Sequence, residues 1–162
     1  MAPSSTCLSK RVCVIGAGPS GLVVAASELR KEGHSAVVLE QNDDVGGQWL
    51  YDPNVEGHDH LVRDMISTTS PDSNSIISSS TTTTTFLKVH SSVYASLRVA
   101  SPREIMGFTD FPFSVKKGRD TRRLPGHREV YLYLRDFCDW FGLRDMIRFN
   151  TRVEYVGMVG FG

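Results

Sequence analysis

Val12-Cys13-Val14-Ile15-Gly16-Ala17-Gly18-Pro19-Ser20-Gly21 is a strand running into a glycine-punctuated turn and then a helix. Val12, Val14 and Ile15 are β-branched and apolar, the composition of a buried parallel strand. Gly16 permits a sharp turn, Gly18 lets backbone approach a pyrophosphate, and Gly21 lets the next helix pack closely on the strand. The spacing predicts that helix from about Pro19 to Lys31, with Leu22, Ala25, Ala26 and Leu29 facing the sheet. Pro19 suits a first helical turn, and the free N–H groups there, with the positive end of the helix dipole, face the phosphates. Gly33 follows at a left-handed stop, and Ala36-Val37-Val38-Leu39 reads as a second buried strand. Glu40 ends it. A carboxylate there accepts from the hydroxyl pair of a ribose and disfavours a 2′-phosphate. The fold class is therefore α/β and Rossmann-like with a parallel sheet, and the N-terminal site prefers FAD or NAD to NADP.

Composition narrows the function. The 162 residues suffice for one modest domain, and 18 basic against 18 acidic side chains leave no net charge. That balance argues against a dedicated nucleic-acid or anionic-membrane binder. Cys7, Cys13 and Cys138 are too few and scattered for a disulfide framework, and no Cys-x-x-Cys is present, which points to a reducing, cytoplasmic setting. No apolar run reaches transmembrane length, since glycines and a proline break the stretch from Val12 to Leu29. Residues 1–10 form a leader without the basic and apolar regions of a secretory signal.

The remainder, 11–162, reads as the N-terminal part of the dinucleotide-binding domain, interrupted by a Ser/Thr-rich insert over 63–85. From Ser67 to Thr85, Ser or Thr fills 14 of 19 positions, so the segment buries too little apolar surface to offset its ordering entropy. A disordered surface loop is expected rather than a phosphorylated regulatory one. Order resumes at Phe86-Leu87-Lys88-Val89, and a second block holds Tyr94, Leu97, Met106, Phe108, Phe111 and Phe113. Lys116 to Arg128 reads as a solvated basic loop. A helix is predicted from His127 to Phe141, with Val130, Leu134, Phe137 and Phe141 on one stripe and Gly142 at its end. Ile147-Arg148-Phe149 and Arg152 to Met158 read as short strands. His58 and His60 lack a third ligand, so no metal is expected.

Gly46-Gly47-Gln48-Trp49 after such a fingerprint resembles the flavin-containing monooxygenases. So do Tyr94-Ala95-Ser96-Leu97, the run from Ser101-Pro102-Arg103 through Met106 to Phe108-Thr109-Asp110-Phe111-Pro112-Phe113, Pro125-Gly126-His127 and Phe149-Asn150-Thr151-Arg152-Val153. The likeness is strongest to the plant branch that S-oxygenates glucosinolates. It implies an FAD- and NADPH-dependent monooxygenase that passes one oxygen atom from O2, through a flavin C4a-hydroperoxide, to a thioether sulfur or an amine nitrogen. Carried over by residue, Gly16, Ala17, Gly18, Pro19, Ser20 and Gly21 cradle the FAD pyrophosphate and Glu40 holds the adenosine ribose. Gly47, Gln48 and Trp49 line the flavin side, and Val153 meets the adenine through its backbone. Trp49 is otherwise a core aromatic, and the Phe108-to-Phe113 cluster is expected to be packing.

Two departures qualify the likeness. Many members of the family carry Thr-Asn where this chain has Val99-Ala100, and an alanine side chain cannot hydrogen-bond. No catalytic role is therefore assigned to Ala100, and no catalytic residue is named. The family's NADPH-binding glycine region and its C-terminal FAD segment are expected beyond residue 162, which makes the fold incomplete and the chain inactive alone. The alternatives are a truncated, non-catalytic dinucleotide-binding or interaction protein, and an NAD-dependent dehydrogenase. The latter leaves Gly46 to Trp49 unexplained. A disulfide reductase would need a redox cysteine pair after the Gly-Gly, and none follows.

Overall fold

A computed structural model describes residues 9–53 and 91–158. Strand β1, Arg11–Ile15, leads through the glycine turn into helix α1, Pro19–Val23, which continues as a wider π-helical stretch over Val24–Leu29. The expected helix is thus present, but its second half is wound more loosely than the regular α-helix the spacing predicts. Gly33 closes it at φ +73°, the left-handed conformation a glycine adopts without steric cost. The chain returns as β2, Ser35–Leu39.

Strand β1 lies parallel to β2, with Cys13 opposite Val37, and β3, Ile147–Arg148, lies parallel to the far side of β2, with Val38 opposite Ile147. The order is β1-β2-β3. A parallel pair needs a crossover, and the stretch from Pro19 to Leu29 supplies it. Leu22 and Ala25 on that crossover are fully buried, as their spacing predicts.

Helix α2, Arg103–Met106, precedes the long helix α3, His127–Trp140. Helix α3 starts where predicted and stops one residue before the predicted Phe141, which caps it, with Gly142 following at φ +59°. Its stripe of Val130, Leu134 and Phe137 is buried against Leu22, Val38 and Val45, and Phe141 packs alongside. Phe108 and Phe111 flank Phe137 edge-on at 4.8 and 5.6 Å, so the phenylalanine cluster is packing.

Several expectations are corrected. Strand β1 is not buried throughout: Ile15 is 58% exposed and Cys13 is exposed, because among the described residues β1 pairs with β2 alone. Residues 152–158 form no strand, with Tyr155, Val156 and Met158 exposed and no ladder partner among the described residues. The segment from Lys116 to Arg128 is more than a solvated loop. Lys116 and Arg119 both donate to Asp136 on α3, and Arg119 grips it with both terminal nitrogens. Residues 1–8 of the leader, the 63–85 insert, Phe86–Val89, His58 and His60 lie outside the described residues.

Candidate functional site

The turn after β1 depends on glycine at two points. Gly16 sits at φ +92° and donates its N–H to the Leu39 carbonyl at 2.8 Å, tying the turn to the end of β2. A Cβ on Gly21 would stand 2.0 Å from the Gly16 oxygen and 3.4 Å from a Val14 methyl, so the crossover packs on β1 only without a side chain there. Gly18 occupies the N-cap of α1 and accepts from Leu22 N–H at 3.0 Å, with no side chain capping the helix. Pro19 is half-buried and Ser20 exposed in the first turn.

The second glycine pair, 30 residues downstream in sequence, lies directly on the first. Gly46 and Gly47 take φ values of +133° and +55°, and a 3-10 turn follows over Gly47–Trp49. Gly46 N–H donates to the Ala17 carbonyl at 3.0 Å. A Cβ on Gly47 would come within 2.9 Å of the Gly18 Cα, closer than real Cβ contacts. The two motifs singled out in the sequence therefore form one backbone-lined surface.

Glu40 stands at the end of β2, 3% exposed. One carboxylate oxygen accepts the Ala17 N–H at 2.6 Å, and the other accepts the backbone and side-chain N–H groups of Asn42, each at 2.9 Å. Burial of a carboxylate is costly without such partners. Backbone from the β3 side completes the support: Glu40 N–H donates to the Arg148 carbonyl at 3.0 Å, and Thr151 N–H donates to the Glu40 carbonyl at 2.8 Å. Asn150, at φ +52°, donates its N–H to the Asn42 carbonyl at 3.0 Å.

These elements enclose a cleft of about 410 Å³, lined by Gly16, Gly18, Glu40, Asn42, Gly47 and Gln48 among others. Asp43 and Asp52 also line it, so its acidic wall opposes a further phosphate. Ser91 reaches over from beyond the Ser/Thr-rich region and donates its hydroxyl to the Gln48 carbonyl at 2.9 Å. Trp49 is not on the cleft wall; it is half-buried against the core. Val153 is half-buried and also off the wall, and Ala100 is exposed. Asn42 and Ser91 were not singled out by sequence reasoning, and Asn150 and Thr151 entered it only within the Phe149-to-Val153 likeness, with no role of their own. Asn42 is the one with a local signal, lying two positions after the strand-ending acid.

The cleft fits the adenosine-diphosphate part of a dinucleotide. Its walls offer the groups such a motif presents to a dinucleotide: bare glycine backbone at Gly16, Gly18 and Gly47, and a buried carboxylate at the strand end. Among the described residues no group of His, Cys, Asp and Glu is arranged to hold a metal. No described helix is long and apolar enough to cross a membrane.

Comparison with known proteins agrees with this geometry. The family model for an NAD(P)-binding Rossmann-like domain matches residues 14–76. The chain is 63% identical over 151 residues to flavin-containing monooxygenase FMO GS-OX-like 8 of Arabidopsis thaliana, a match covering 93% of this chain and 28% of that protein. It is 48% identical over 161 residues to the putative flavin-containing monooxygenase FMO GS-OX-like 11 of the same plant, covering 96% of this chain and 83% of that relative. The structure of S-allyl-L-cysteine S-oxygenase from Allium sativum superposes with a TM-score of 0.68 at 41% identity, over 92% of this chain and 29% of that one. The chain thus spans less than a third of two of these proteins and most of the third. High identity along nearly its whole length, on a fold that places both glycine motifs at one cleft, shows that the chain belongs to the flavin-containing monooxygenase family.

Proposed function

We propose that this chain forms the adenosine-diphosphate end of an FAD site in an FAD- and NADPH-dependent monooxygenase that oxygenates a thioether sulfur or an amine nitrogen in a cytoplasmic setting. The observation that carries the reading is the contact of the two glycine turns at Gly18 and Gly47, with the buried Glu40 carboxylate at the base of the same cleft. In this reading the backbone of Gly16, Ala17, Gly18, Pro19, Ser20 and Gly21 holds the pyrophosphate. Glu40 turns one of its oxygens to the ribose hydroxyls while Asn42 steadies the other. Gly47 and Gln48 carry the wall toward the flavin, Trp49 backs that wall from the core, and Val153 supplies backbone near the adenine. The bound flavin supplies the oxygen-transfer chemistry, and the chain's part is to bind and orient it.

NADPH and the oxidisable substrate belong to the whole enzyme. The Allium sativum protein named for S-oxygenation of S-allyl-L-cysteine is the reason to favour a thioether over an amine. Since the chain spans 29% of that protein, it is expected to bind FAD with little turnover of its own.

The visible spectrum of the purified chain tests the reading. Flavin absorbance near one FAD per chain after reconstitution is expected, with at most slow NADPH oxidation in the presence of a thioether. A folded, colourless chain that takes up no FAD overturns it.

A further inference from the structure

We infer that Asp44 and Tyr131 are positioning residues for the dinucleotide cradle: a clamp between the Tyr131 hydroxyl on α3 and the Asp44 carboxylate sets the Gly46-Gly47 turn against the phosphate loop. The inference rests on the reading of the cleft given above. Neither residue lines the cleft, so neither touches a ligand there.

The Tyr131 hydroxyl donates to one Asp44 oxygen at 2.6 Å, and the Val45 N–H donates to the other at 2.8 Å. Arg144 stands 3.5 Å from one of these oxygens and Arg135 3.6 Å from the other. The Arg135 guanidinium also lies over the Tyr131 ring, 5.7 Å from its centre. Asp44 is thus a carboxylate held by a phenol, two guanidinium groups and a backbone N–H, two residues before Gly46. The Tyr131 ring continues the contact, since a Cβ on Gly46 would lie 3.2 Å from Tyr131 Cδ2. From Gly46 the path runs through its N–H to the Ala17 carbonyl, at 3.0 Å, and from Gly47 to the Gly18 backbone.

A pair of glycines at φ +133° and +55° has little intrinsic preference for that shape. Left unheld, it would sample others, and each binding event would bear the entropy of ordering it. The clamp settles that cost at folding by fastening the turn to α3, whose Val130, Leu134 and Phe137 are buried in the core. Burial, followed by the hydrogen bond to Asp44, pushes the Tyr131 phenol above its ordinary value, so it remains a donor at neutral pH.

The test compares Tyr131→Phe, Asp44→Asn and Asp44→Ala with Tyr133→Phe. The control removes a hydroxyl from the same helix that bonds Phe111 and Phe108 instead. Amide hydrogen exchange at Gly46 is measured in the cofactor-free chain, and FAD affinity by flavin fluorescence. Tyr131→Phe should speed Gly46 exchange and weaken FAD binding, each by about tenfold, the scale of one lost charge-assisted hydrogen bond. Asp44→Asn keeps an acceptor and should fall between the wild type and Asp44→Ala. Tyr133→Phe should lower stability and move neither readout. Unchanged Gly46 exchange in Tyr131→Phe, or an equal change in Tyr133→Phe, overturns the clamp. Should Tyr131→Phe fail to fold, the two Asp44 variants decide: equal exchange at Gly46 in Asp44→Ala and the wild type overturns it. If the wild type binds no FAD while Tyr131→Phe still loosens Gly46, the cofactor reading fails and the clamp stands.

Discussion

Glycine carries different burdens at neighbouring positions of the phosphate loop. At Gly21 the burden is packing: a Cβ 2.0 Å from the Gly16 oxygen forces backbone to move. Gly21→Ala should therefore lower unfolding free energy by about 3 kcal/mol or more in a urea titration. Gly18 has an ordinary φ of −77°, and the nearest atom to its missing Cβ is 3.6 Å away. Gly18→Ala should stay within about 1 kcal/mol of the wild type in stability. It should weaken FAD binding roughly tenfold, because the methyl is added to backbone that lines the cleft. Calorimetric titration with FAD beside the urea curves separates the two effects, and a Gly18→Ala chain that binds normally would count against the cleft as the phosphate site. The spacing of these glycines was legible in the sequence. That Gly47 would touch Gly18 was not, because contact between segments so far apart in the chain follows from the turn after β2, not from any local pattern.

Helix α3 was legible because its apolar stripe repeats at the helical period and Gly142 ends it. The segment before it was misread, because charged residues in sequence look alike whether solvated or paired. Arg103, 4% exposed, shows the difference. Its guanidinium donates to the carbonyls of Arg122, at 2.8 Å, and Asp120, lies 3.6 Å from Glu129, and covers the Phe113 ring at 4.6 Å. It fastens the 116–126 segment to α2 and α3 from inside. Arg103→Ala leaves Glu129 buried with, among the described residues, only Arg119, 4.0 Å away, as a cation. A loss of about 3–5 kcal/mol is expected, the cost of breaking a buried pair on one side. Limited trypsin digestion should then cut first between Lys116 and Arg128. A variant as stable and as resistant as the wild type would show that the buried pair does not hold this segment.

The whole molecule should be most stable in a window of pH bounded by identifiable groups. At the acid end, the hydrogen bond from Arg122 draws the Asp120 carboxyl far below its usual range. Burial pushes Asp136 up, but the hydrogen bonds from Arg119 and Lys116 outweigh it and leave it lowered. The unfolded chain binds these protons first, so this stability is present above the ordinary carboxylate value of 3.8 and is lost as pH falls through the folded values. At the alkaline end, burial pushes the Cys138 thiol from 9.0 up to about 11 and raises Tyr131 and Tyr133. There the folded chain holds its protons longer, so stability is full below 9.0 and declines as pH rises toward about 11. Urea midpoints measured across pH should show a plateau from about pH 5 to 8 with both flanks falling. Cys138, fully buried, should resist thiol reagents in the native chain at pH 8 while the exposed Cys13 reacts.

Local pattern by itself determined the β1–turn–helix–β2 unit, the acid at its end and the long amphipathic helix. Each rests on interactions between residues close in the chain: β-branched runs, glycine at left-handed stops, apolar side chains at helical spacing. Only the tertiary structure decided that β3 pairs with β2 through Val38 and Ile147, that residues 152–158 join no ladder, and that Trp49 faces the core. It also decided that Asp44 and Tyr131, 87 residues apart, meet behind the cleft. The physical reason is the same in each case. A hydrogen bond or a buried charge pair between distant segments leaves no periodicity in the sequence, because its geometry exists only once the sheet and α3 have packed.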